Sequence, residues 1–289
     1  MIDKQLRWVF LFGLALVWGS SFILMKFALL GLTPVQVGTL RMIISALFLL
    51  VIGFHKIKHI RKRHWKYILL NAALGTFIPV FLFAYAVQNI DSSIVAILNS
   101  LTPLNTLILG FIFFGFLFHK KQILGIFLGA LGTLYLILKS ADLNPDDNYW
   151  YALAVIIASV GYALNVNILK KYLSDLDATS IAVGNFIVVL IPAFIVLFTT
   201  GFFSQDIIGT PVLPALGYMA ILAIVGTGIA KIFFNRLVQI SSPIFASSVT
   251  YLIPIVALIW GVFDGEQIHF TQIFAGLLIL FGVYLVNSR

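Results

Sequence analysis

The sequence predicts an all-α integral membrane protein of ten transmembrane helices, arranged as two inverted five-helix repeats. Three observations carry this prediction. The chain of 289 residues is 61% hydrophobic and only 10% charged, whereas soluble proteins carry about 25% charged residues. Its apolar residues fall into ten long runs. The two halves also match each other at a constant spacing of 151 residues.

The apolar runs predict helices rather than the strands of a membrane barrel. Barrel strands are about 10 residues long and alternate in polarity, but these runs are longer and uniformly apolar. In the first run no charge interrupts the stretch from Trp8 to Met25, which is long enough to cross the hydrocarbon layer as a helix. The runs cover residues 6–30, 34–54, 65–87, 92–118, 122–138, 149–169, 179–200, 213–234, 243–263 and 270–286.

The charges outside the runs predict the orientation of the chain. Every Lys and Arg there, except Lys139, falls on the side that holds both termini. Because cytoplasmic loops are enriched in Lys and Arg, we expect both termini in the cytoplasm and a multi-pass protein of the plasma (inner) membrane. The loops on the opposite side carry the carboxylates Asp91, Asp142, Asp146, Asp147, Asp206, Asp264 and Glu266.

A polar stretch rich in Asp, Asn and Pro divides the chain. We expect a first repeat at residues 1–140, a linker at 141–148 and a second repeat at 149–289. Since five helices is an odd number, the second repeat must cross the membrane in the opposite sense, as in many alternating-access transporters. The matched positions are Gly75-Thr76 with Gly226-Thr227, Val87-Gln88 with Val238-Gln239, Pro103 with Pro254, Gly110 with Gly261, and Gly125 with Gly276.

Several short motifs resemble those of a known family. They are Trp18, Gly19, Ser20, Ser21 and Phe22 in the first run, Arg41 in the second, Leu101-Thr102-Pro103 and Leu252-Ile253-Pro254 in the fourth and ninth, and Gly261, Glu266 and Gly276. The chain is similar, over essentially its whole length, to the EamA-like ten-helix transporters of the drug/metabolite transporter superfamily. This resemblance implies a basket of helices around a central cavity and export of small metabolites, often amino acids. One departure is Gly115, which stands where such families often carry an acidic residue.

The sequence offers no chemistry for an enzyme and no obvious coupling group. It has no cysteine and none of the common hydrolase, phosphate-binding or metalloprotease motifs, so we expect no cofactor and no metal site. The carboxylates and histidines lie in loops or at the ends of runs, whereas proton-coupled carriers usually place one inside the membrane. Transport is therefore expected to be passive or exchange-like, unless Glu266 serves for coupling.

Three cations lie within the runs: Lys26, Arg41 and Lys231. A charge near the centre of a membrane helix costs about 3 kcal/mol on insertion scales, and we expect no buried carboxylate to neutralise these. A substrate carboxylate bound by Arg41, with Lys26 as a neighbour across the first hairpin, would satisfy both. The alternatives are that Arg41 hydrogen-bonds carbonyls at a helix end and that Lys26 extends to the membrane surface. Lys231 either extends to the cytoplasmic surface or is a second substrate-binding cation in the cavity, reached from the cytoplasm.

Polar and aromatic residues within the runs are further candidates for substrate binding. Trp18, Ser21, Phe22 and Met25 share one helix face at i, i+3, i+4, i+7 spacing, although such a face more often serves packing. The remaining candidates, which are equally suited to interhelical hydrogen bonds, are Tyr85, Asn99, Tyr162, Asn165 and Tyr251.

Two backbone features predict how the helices bend and pack. Proline frees the carbonyl four residues earlier, so Pro103 and Pro254 predict kinks that line the cavity or act in gating, with plain packing as the alternative. Gly125 and Gly129 form a small-xxx-small pattern that is typical of close helix packing, either within the bundle or in a homodimer.

The basic segment from His55 to Lys66 suits anionic lipid headgroups, and no nucleic-acid partner is expected. We favour a secondary transporter that exports a small zwitterionic or anionic metabolite, preferably an amino acid, by alternating access. The alternatives are a passive uniporter or channel and, less favoured, a membrane-embedded lipid-handling protein. An exporter of cationic drugs would require a buried carboxylate, which the runs do not offer.

Overall fold

The structure, a computed structural model, describes residues 2–115, 120–143, 148–208, 211–265 and 269–287. All regular elements within these ranges are helical. Two stretches of π-helix, Ala73–Phe77 and Ile224–Ile229, interrupt longer helices, and two 3₁₀ turns cover Phe54–His59 and Phe202–Ser204. The α-helices are α1 (Ile2–Ala28), α2 (Pro34–Gly53), α3 (Lys62–Ala72), α4 (Ile78–Asn89), α5 (Ser92–Asn99), α6 (Thr102–Phe114), α7 (Lys120–Leu143), α8 (Tyr151–Tyr172), α9 (Ala178–Thr199), α10 (Val212–Ala223), α11 (Ala230–Ile240), α12 (Pro243–Ser247), α13 (Val249–Phe263) and α14 (Phe270–Asn287).

Eight helical stretches of the described residues are long and apolar enough to cross a membrane. Two more helices, α7 and α14, contain shorter apolar stretches, Ile123–Leu136 and Phe270–Gly282. The chain is therefore an all-helical integral membrane protein, while the count of ten spans and the inverted orientation of the halves remain predictions. The eight stretches are Gln5–Ala28, Pro34–His59, Lys62–Asn89, Ser92–Phe114, Tyr151–Tyr172, Ala178–Thr199, Val212–Ile240 and Pro243–Phe263.

Side-chain caps explain where α2 and α9 begin. The Thr33 hydroxyl accepts a hydrogen bond from the backbone N–H of Gln36 at 3.3 Å, and the Gln36 side chain accepts one from the backbone N–H of Thr33 at 3.0 Å. This reciprocal pair is a capping box. Asp177 accepts from the backbone N–H groups of Thr179 and Ser180 at the start of α9. The caps end the tight connections that turn the chain back after α1 and after α8.

The fourth predicted span is broken close to its proline, as the sequence indicates. Ser100 and Leu101 separate α5 from α6, and Pro103 lies in the first turn of α6. Proline cannot donate to the carbonyl of Asn99. The Thr102 hydroxyl donates to that carbonyl instead, at 2.8 Å, so the break keeps its backbone acceptor satisfied.

The ninth predicted span is also broken, but its break is farther from the proline than in the fourth span. Ser248 separates α12 from α13, well before Pro254, which lies inside α13. The π-helical stretches Ala73–Phe77 and Ile224–Ile229 begin at positions 151 residues apart and each contains one Gly-Thr pair. A π-helical turn is wider than an α-helical one and is frequent at functional sites. A gating role for the prolines stays a prediction.

Helices from opposite halves of the chain pack against each other. In the first half α1 lies against α10, α11 and α13, and in the second half α8 lies against α3, α4 and α6. α2 packs along α9, and α7 along α14. An internal repeat produces this kind of reciprocal pairing, in which each half covers the first helix of the other.

Glycines allow α7 and α14 to approach closely. A Cβ added to Gly282 would lie 2.6 Å from the Gly125 carbonyl oxygen and 2.7 Å from the Gly129 backbone nitrogen. The Gly125 and Gly129 pattern therefore serves packing within the bundle, which was one of its two expected uses. The homodimer is still only a prediction.

The basic segment 55–66 is tied to the connection between α8 and α9. Arg63 and the buried His64 both bond to Asp175. Slight burial raises the pKa of Asp175, but hydrogen bonds from His64 and Arg63 outweigh it and hold that pKa below its usual value. The other Arg and Lys residues of the segment are exposed or half-buried, and their binding of anionic headgroups stays a prediction.

Candidate functional site

A cavity of about 100 Å³ lies between helices of both halves. It has room for several water molecules or a small solute. Both π-helical stretches contribute to its lining, through their Gly-Thr pairs. Eight of the substrate-binding candidates line it, although their contact with a substrate is untested: Trp18, Ser21, Phe22, Arg41, Asn99, Tyr162, Asn165 and Lys231.

The helix face that the spacing indicates in α1 does line this cavity. Trp18, Ser21, Phe22 and Met25 all contribute to the lining. The indole Nε1 of Trp18 donates to the Gly226 carbonyl oxygen at 3.0 Å. Because Gly226 belongs to the second π-helical stretch, this bond joins α1 to the opposite half of the chain.

Arg41 is the cation that α2 brings to the cavity. Its Nε donates to the Thr227 hydroxyl at 2.6 Å, and that hydroxyl donates to the Leu222 carbonyl at 3.2 Å. With respect to the described residues, the Nη nitrogens of Arg41 make no hydrogen bond or ion pair. The two Nη groups form a planar fork that matches a carboxylate. Arg41 is therefore anchored through one nitrogen and open to an anion through two.

Lys231 reaches the cavity from α11. Its Nζ donates to the Gly75 carbonyl oxygen at 2.5 Å and lies 5.9 Å from the centre of the Tyr162 ring. Gly75 belongs to the first π-helical stretch. Lys231 is thus held inside the bundle and does not extend to the membrane surface, which corrects one of the two expectations for this residue.

The electrostatic character of the cavity is positive. Arg41 and Lys231 both line it, and its described lining residues include no Asp or Glu. Charges in a low-dielectric interior interact more strongly than in water. The arrangement therefore favours a negatively charged group in this cavity.

Aromatic rings form much of the cavity wall. The rings of Phe83 and Tyr162 stack with their centres 5.7 Å apart and their planes inclined by 20°. Phe22 meets Phe83 edge-on at 6.0 Å, and Trp18 lies 5.0 Å from Phe234. A flat apolar group could pack against several of these ring faces.

Lys26 does not join Arg41 in the cavity. Its Nζ forms an ion pair with Asp264 at 2.6 Å, where α13 ends. Asp264 is exposed at the end of the ninth predicted span, so Lys26 has a carboxylate partner, although not a buried one. Lys26 is outside the cavity lining, so it is not part of this candidate site.

Two tyrosines that the sequence indicates as substrate-binding candidates also lie outside the cavity. Tyr85 is 36% exposed and stacks on Tyr151 at 6.4 Å. Tyr251 lines a separate groove together with Arg7 and Trp8. Neither tyrosine lines the cavity, because each lies on a different face of its helix from the residues that do.

Several lining residues were missed in the sequence. Thr76 and Thr227 follow the glycines of the π-helical stretches, and their repeated Gly-Thr pairs were the available signal. The Thr76 hydroxyl is buried and has no hydrogen-bond partner within the described ranges. Phe83 and Phe234 carry no signal beyond their hydrophobicity.

Buried asparagines hold one wall of the cavity in place. Asn71 Nδ2 donates to the Asn165 carbonyl at 3.2 Å, and Asn165 Nδ2 donates to the Asn71 carbonyl at 3.0 Å. Asn185 Nδ2 donates to Asn71 Oδ1 at 2.6 Å. Because these residues belong to α3, α8 and α9, Asn165 forms the interhelical hydrogen bonds that the sequence left as an alternative, and it also lines the cavity.

Carboxylates give little further indication of chemistry. Within the part of the chain that the structure describes, no group of three or more His, Cys, Asp or Glu residues is placed to hold a metal ion. Glu266, the proposed coupling carboxylate, lies outside the described residues. Gly115 ends α6 with a φ of 79°, a left-handed conformation that glycine adopts without strain.

Comparisons with known proteins agree with this architecture. The model of the EamA-like transporter family matches residues 6–138 and 149–288. The chain is 26% identical to the uncharacterized inner membrane transporter YedA of Escherichia coli (strain K12), covering 96% of this chain and 89% of that protein. It is 22% identical to the uncharacterized transporter YvbV of Bacillus subtilis (strain 168), with 96% and 90% covered.

Two further comparisons extend this picture. Protein PecM of Dickeya dadantii (strain 3937) is 26% identical to the chain, covering 78% of this chain and 76% of that protein. A solved crystal structure that is 15% identical superposes with a TM-score of 0.68, covering 96% of this chain and 95% of the other. At that identity the likeness concerns the fold alone.

Proposed function

We propose, from the premise that this chain belongs to the EamA-like transporter family, that it exports a small carboxylate-bearing metabolite across the plasma membrane by alternating access. The family and the transporter relatives identify it as a multi-pass membrane transporter rather than an enzyme. The substrate class, the direction and the mechanism are the proposal. Amino acids fall within the proposed class.

The observation that carries the proposal is the positively charged cavity between the halves. Arg41 offers two unbonded Nη groups among the described residues, and Lys231 lies in the same lining. A carboxylate can accept two parallel hydrogen bonds from such a guanidinium. A cavity of this charge would repel the cations that many drug exporters carry.

The way the halves meet at the cavity supports alternating access. The family model matches each half separately, which supports a repeat. The bond from Arg41 to Thr227 and the bond from Lys231 to Gly75 both join residues of opposite halves. Rocking of one half against the other would change these bonds and open the cavity to each side in turn.

Ion pairs between the halves lie at both ends of the bundle. At one end Lys26 pairs with Asp264, and at the other end Arg63 pairs with Asp175. From the charge pattern of the loops we expect the first pair outside and the second in the cytoplasm. Alternating access requires that one end opens while the other stays closed, so the two pairs would break and re-form in turn.

The test uses the purified protein in proteoliposomes with labelled amino acids and organic acids. We expect saturable uptake of a carboxylate-bearing compound, and Arg41→Met to lower its rate below saturation by about tenfold or more, since hydrogen bonds to charged groups contribute about 1.5–3 kcal/mol. Arg236→Met is the matched control, because Arg236 is an exposed residue of α11 outside the cavity. It should transport at the native rate.

Three results would contradict the proposal. One is a folded Arg41→Met variant that transports like the native protein. Another is movement of lipophilic cations with no movement of any carboxylate. The third is flux that never saturates, which would favour the passive channel.

A further inference from the structure

The central cavity contains features that discriminate between kinds of carboxylate. Resting on the proposed function, we propose that the transported compound is an aromatic organic anion without an ammonium group, and that Thr76 is a third hydrogen-bond donor to it. A 2-oxo acid with an aromatic side chain is of this class. The corresponding amino acid is not.

The charges of the cavity favour an anion over a zwitterion. Arg41 and Lys231 are its cations, and its described lining residues hold no carboxylate. An anion offsets one of these positive charges, whereas a zwitterion brings a new ammonium group and leaves the net charge unchanged. Like charges in a poorly solvated site disfavour each other. A ring face attracts an ammonium group, but both cations of the cavity repel it.

Several acceptors of the lining that could receive an ammonium group are already engaged. The Gly75 carbonyl accepts from Lys231, and the Gly226 carbonyl accepts from Trp18. Asn99 offers its carbonyl and its side-chain oxygen, but the Thr102 hydroxyl donates toward both, at 2.8 and 3.3 Å. An ammonium group needs several acceptors when it is buried, so at these oxygens it would compete with donors that are already bound.

The Thr76 hydroxyl is an independent indication that the cavity binds a hydrogen-bond acceptor. Thr76 lines the cavity, and its hydroxyl is buried and has no partner within the described residues. Buried polar groups in native proteins nearly always have a partner. The matching residue of the other half, Thr227, accepts from Arg41 and donates to Leu222. Thr76, which belongs to the first half of the chain, is therefore available to donate a hydrogen bond to a ligand. Its counterpart in the second half, Thr227, is already bonded to Arg41.

The aromatic wall suits the rest of the molecule. Trp18 and Phe234 lie with ring centres 5.0 Å apart, and Phe22, Phe83 and Tyr162 form a second ring cluster. Offset and edge-on contacts with such rings stabilise a further ring beyond its apolar area. An aromatic anion thus meets donors at one group and ring faces along the rest of its surface.

The experiment compares phenylpyruvate with phenylalanine, which share the same side chain and carboxylate and differ in the oxo and ammonium groups. Both labelled compounds are offered to proteoliposomes with the full-length protein, with protein-free liposomes as the blank. We expect a half-saturation concentration at least tenfold lower for phenylpyruvate. Thr76→Val should raise that concentration about fivefold, the usual effect of one lost hydrogen bond, and Thr76→Ser should restore it.

Thr199→Val is the matched control, since Thr199 lies at the exposed end of α9 outside the cavity. A half-saturation concentration for phenylalanine equal to or below that of phenylpyruvate would overturn the inference on charge and leave the transporter proposal standing. A native value in Thr76→Val would remove Thr76 from the site. If neither compound moved while another amino acid or organic acid did, the inference would fail and the proposed function would stand. If the folded protein moved no carboxylate at all, both would fail.

Discussion

The two π-helical stretches have the same backbone and different partners. In Ala73–Phe77 the glycine carbonyl accepts from Lys231, and the threonine hydroxyl has no partner among the described residues. In Ile224–Ile229 the glycine carbonyl accepts from Trp18, and the threonine accepts from Arg41. Each half of the chain therefore contributes one wide turn to the lining of the same cavity.

The difference between the stretches supports the proposed position of the anion. In the second stretch Gly226 and Thr227 bond to residues of α1 and α2, whereas in the first the Thr76 hydroxyl has no partner among the described residues. Arg41, which is anchored on Thr227, and Thr76 line the same cavity. A repeat that stayed symmetric in its side chains would have no such preferred position for an anion.

The two stretches are expected to differ in how well their glycines tolerate a side chain. A Cβ at Gly75 would overlap the Asn165 side chain, which is held by Asn71. At Gly226 the nearest side chain is Ser21, whose Oγ lies 2.8 Å from the added Cβ and can rotate away. We expect Gly75→Ala to destabilise the protein by about 1–3 kcal/mol, and Gly226→Ala to destabilise it less. Thermal unfolding in detergent measures both.

Gly217→Ala is the control for these two variants. Nothing lies within 4 Å of a Cβ at Gly217, which is inside α10, so alanine there should stabilise the helix slightly. Equal losses for Gly75→Ala and Gly226→Ala would show that the two stretches are packed alike, against the comparison.

A difference in stability of opposite sign is expected for the threonines. Thr227→Val leaves the buried Nε of Arg41 without its acceptor, and we expect a loss of about 1–3 kcal/mol. Thr76→Val removes a hydroxyl that has no partner in the described ranges, so the unliganded protein should be unchanged or slightly more stable. Thermal unfolding without ligand compares them. A larger loss for Thr76→Val than for Thr227→Val would contradict the assigned partners.

Features that depend on local spacing could be predicted from the sequence. The cavity face of α1 follows from the helical period of Trp18, Ser21, Phe22 and Met25, and all four line the cavity. Arg41 was singled out because a charge within a span is costly. The apolar runs agree with the helices to within a few residues, because a span must be apolar throughout its length.

Features that depend on distant contacts could not be predicted. Lys26 pairs with Asp264 because α1 packs on α13, which no local pattern reveals. Tyr85 and Tyr251 are candidates because their hydroxyls are polar groups within apolar runs. In a nearly uniformly apolar helix, however, the sequence does not indicate which face is buried. The role of Thr76 depends on a π-helical turn, and only the repeated Gly-Thr pair pointed to it.

The most direct test of the central claim is a crystal structure of the protein grown with 4-bromophenylpyruvate, with the bromine located by its anomalous scattering. The claim is that the anion binds between Arg41, Lys231 and Thr76. We expect an anomalous peak inside the aromatic-lined cavity, with the carboxylate on the Nη groups of Arg41. A peak confined to the separate groove beside Trp8 and Tyr251, with none in the cavity, would contradict the claim.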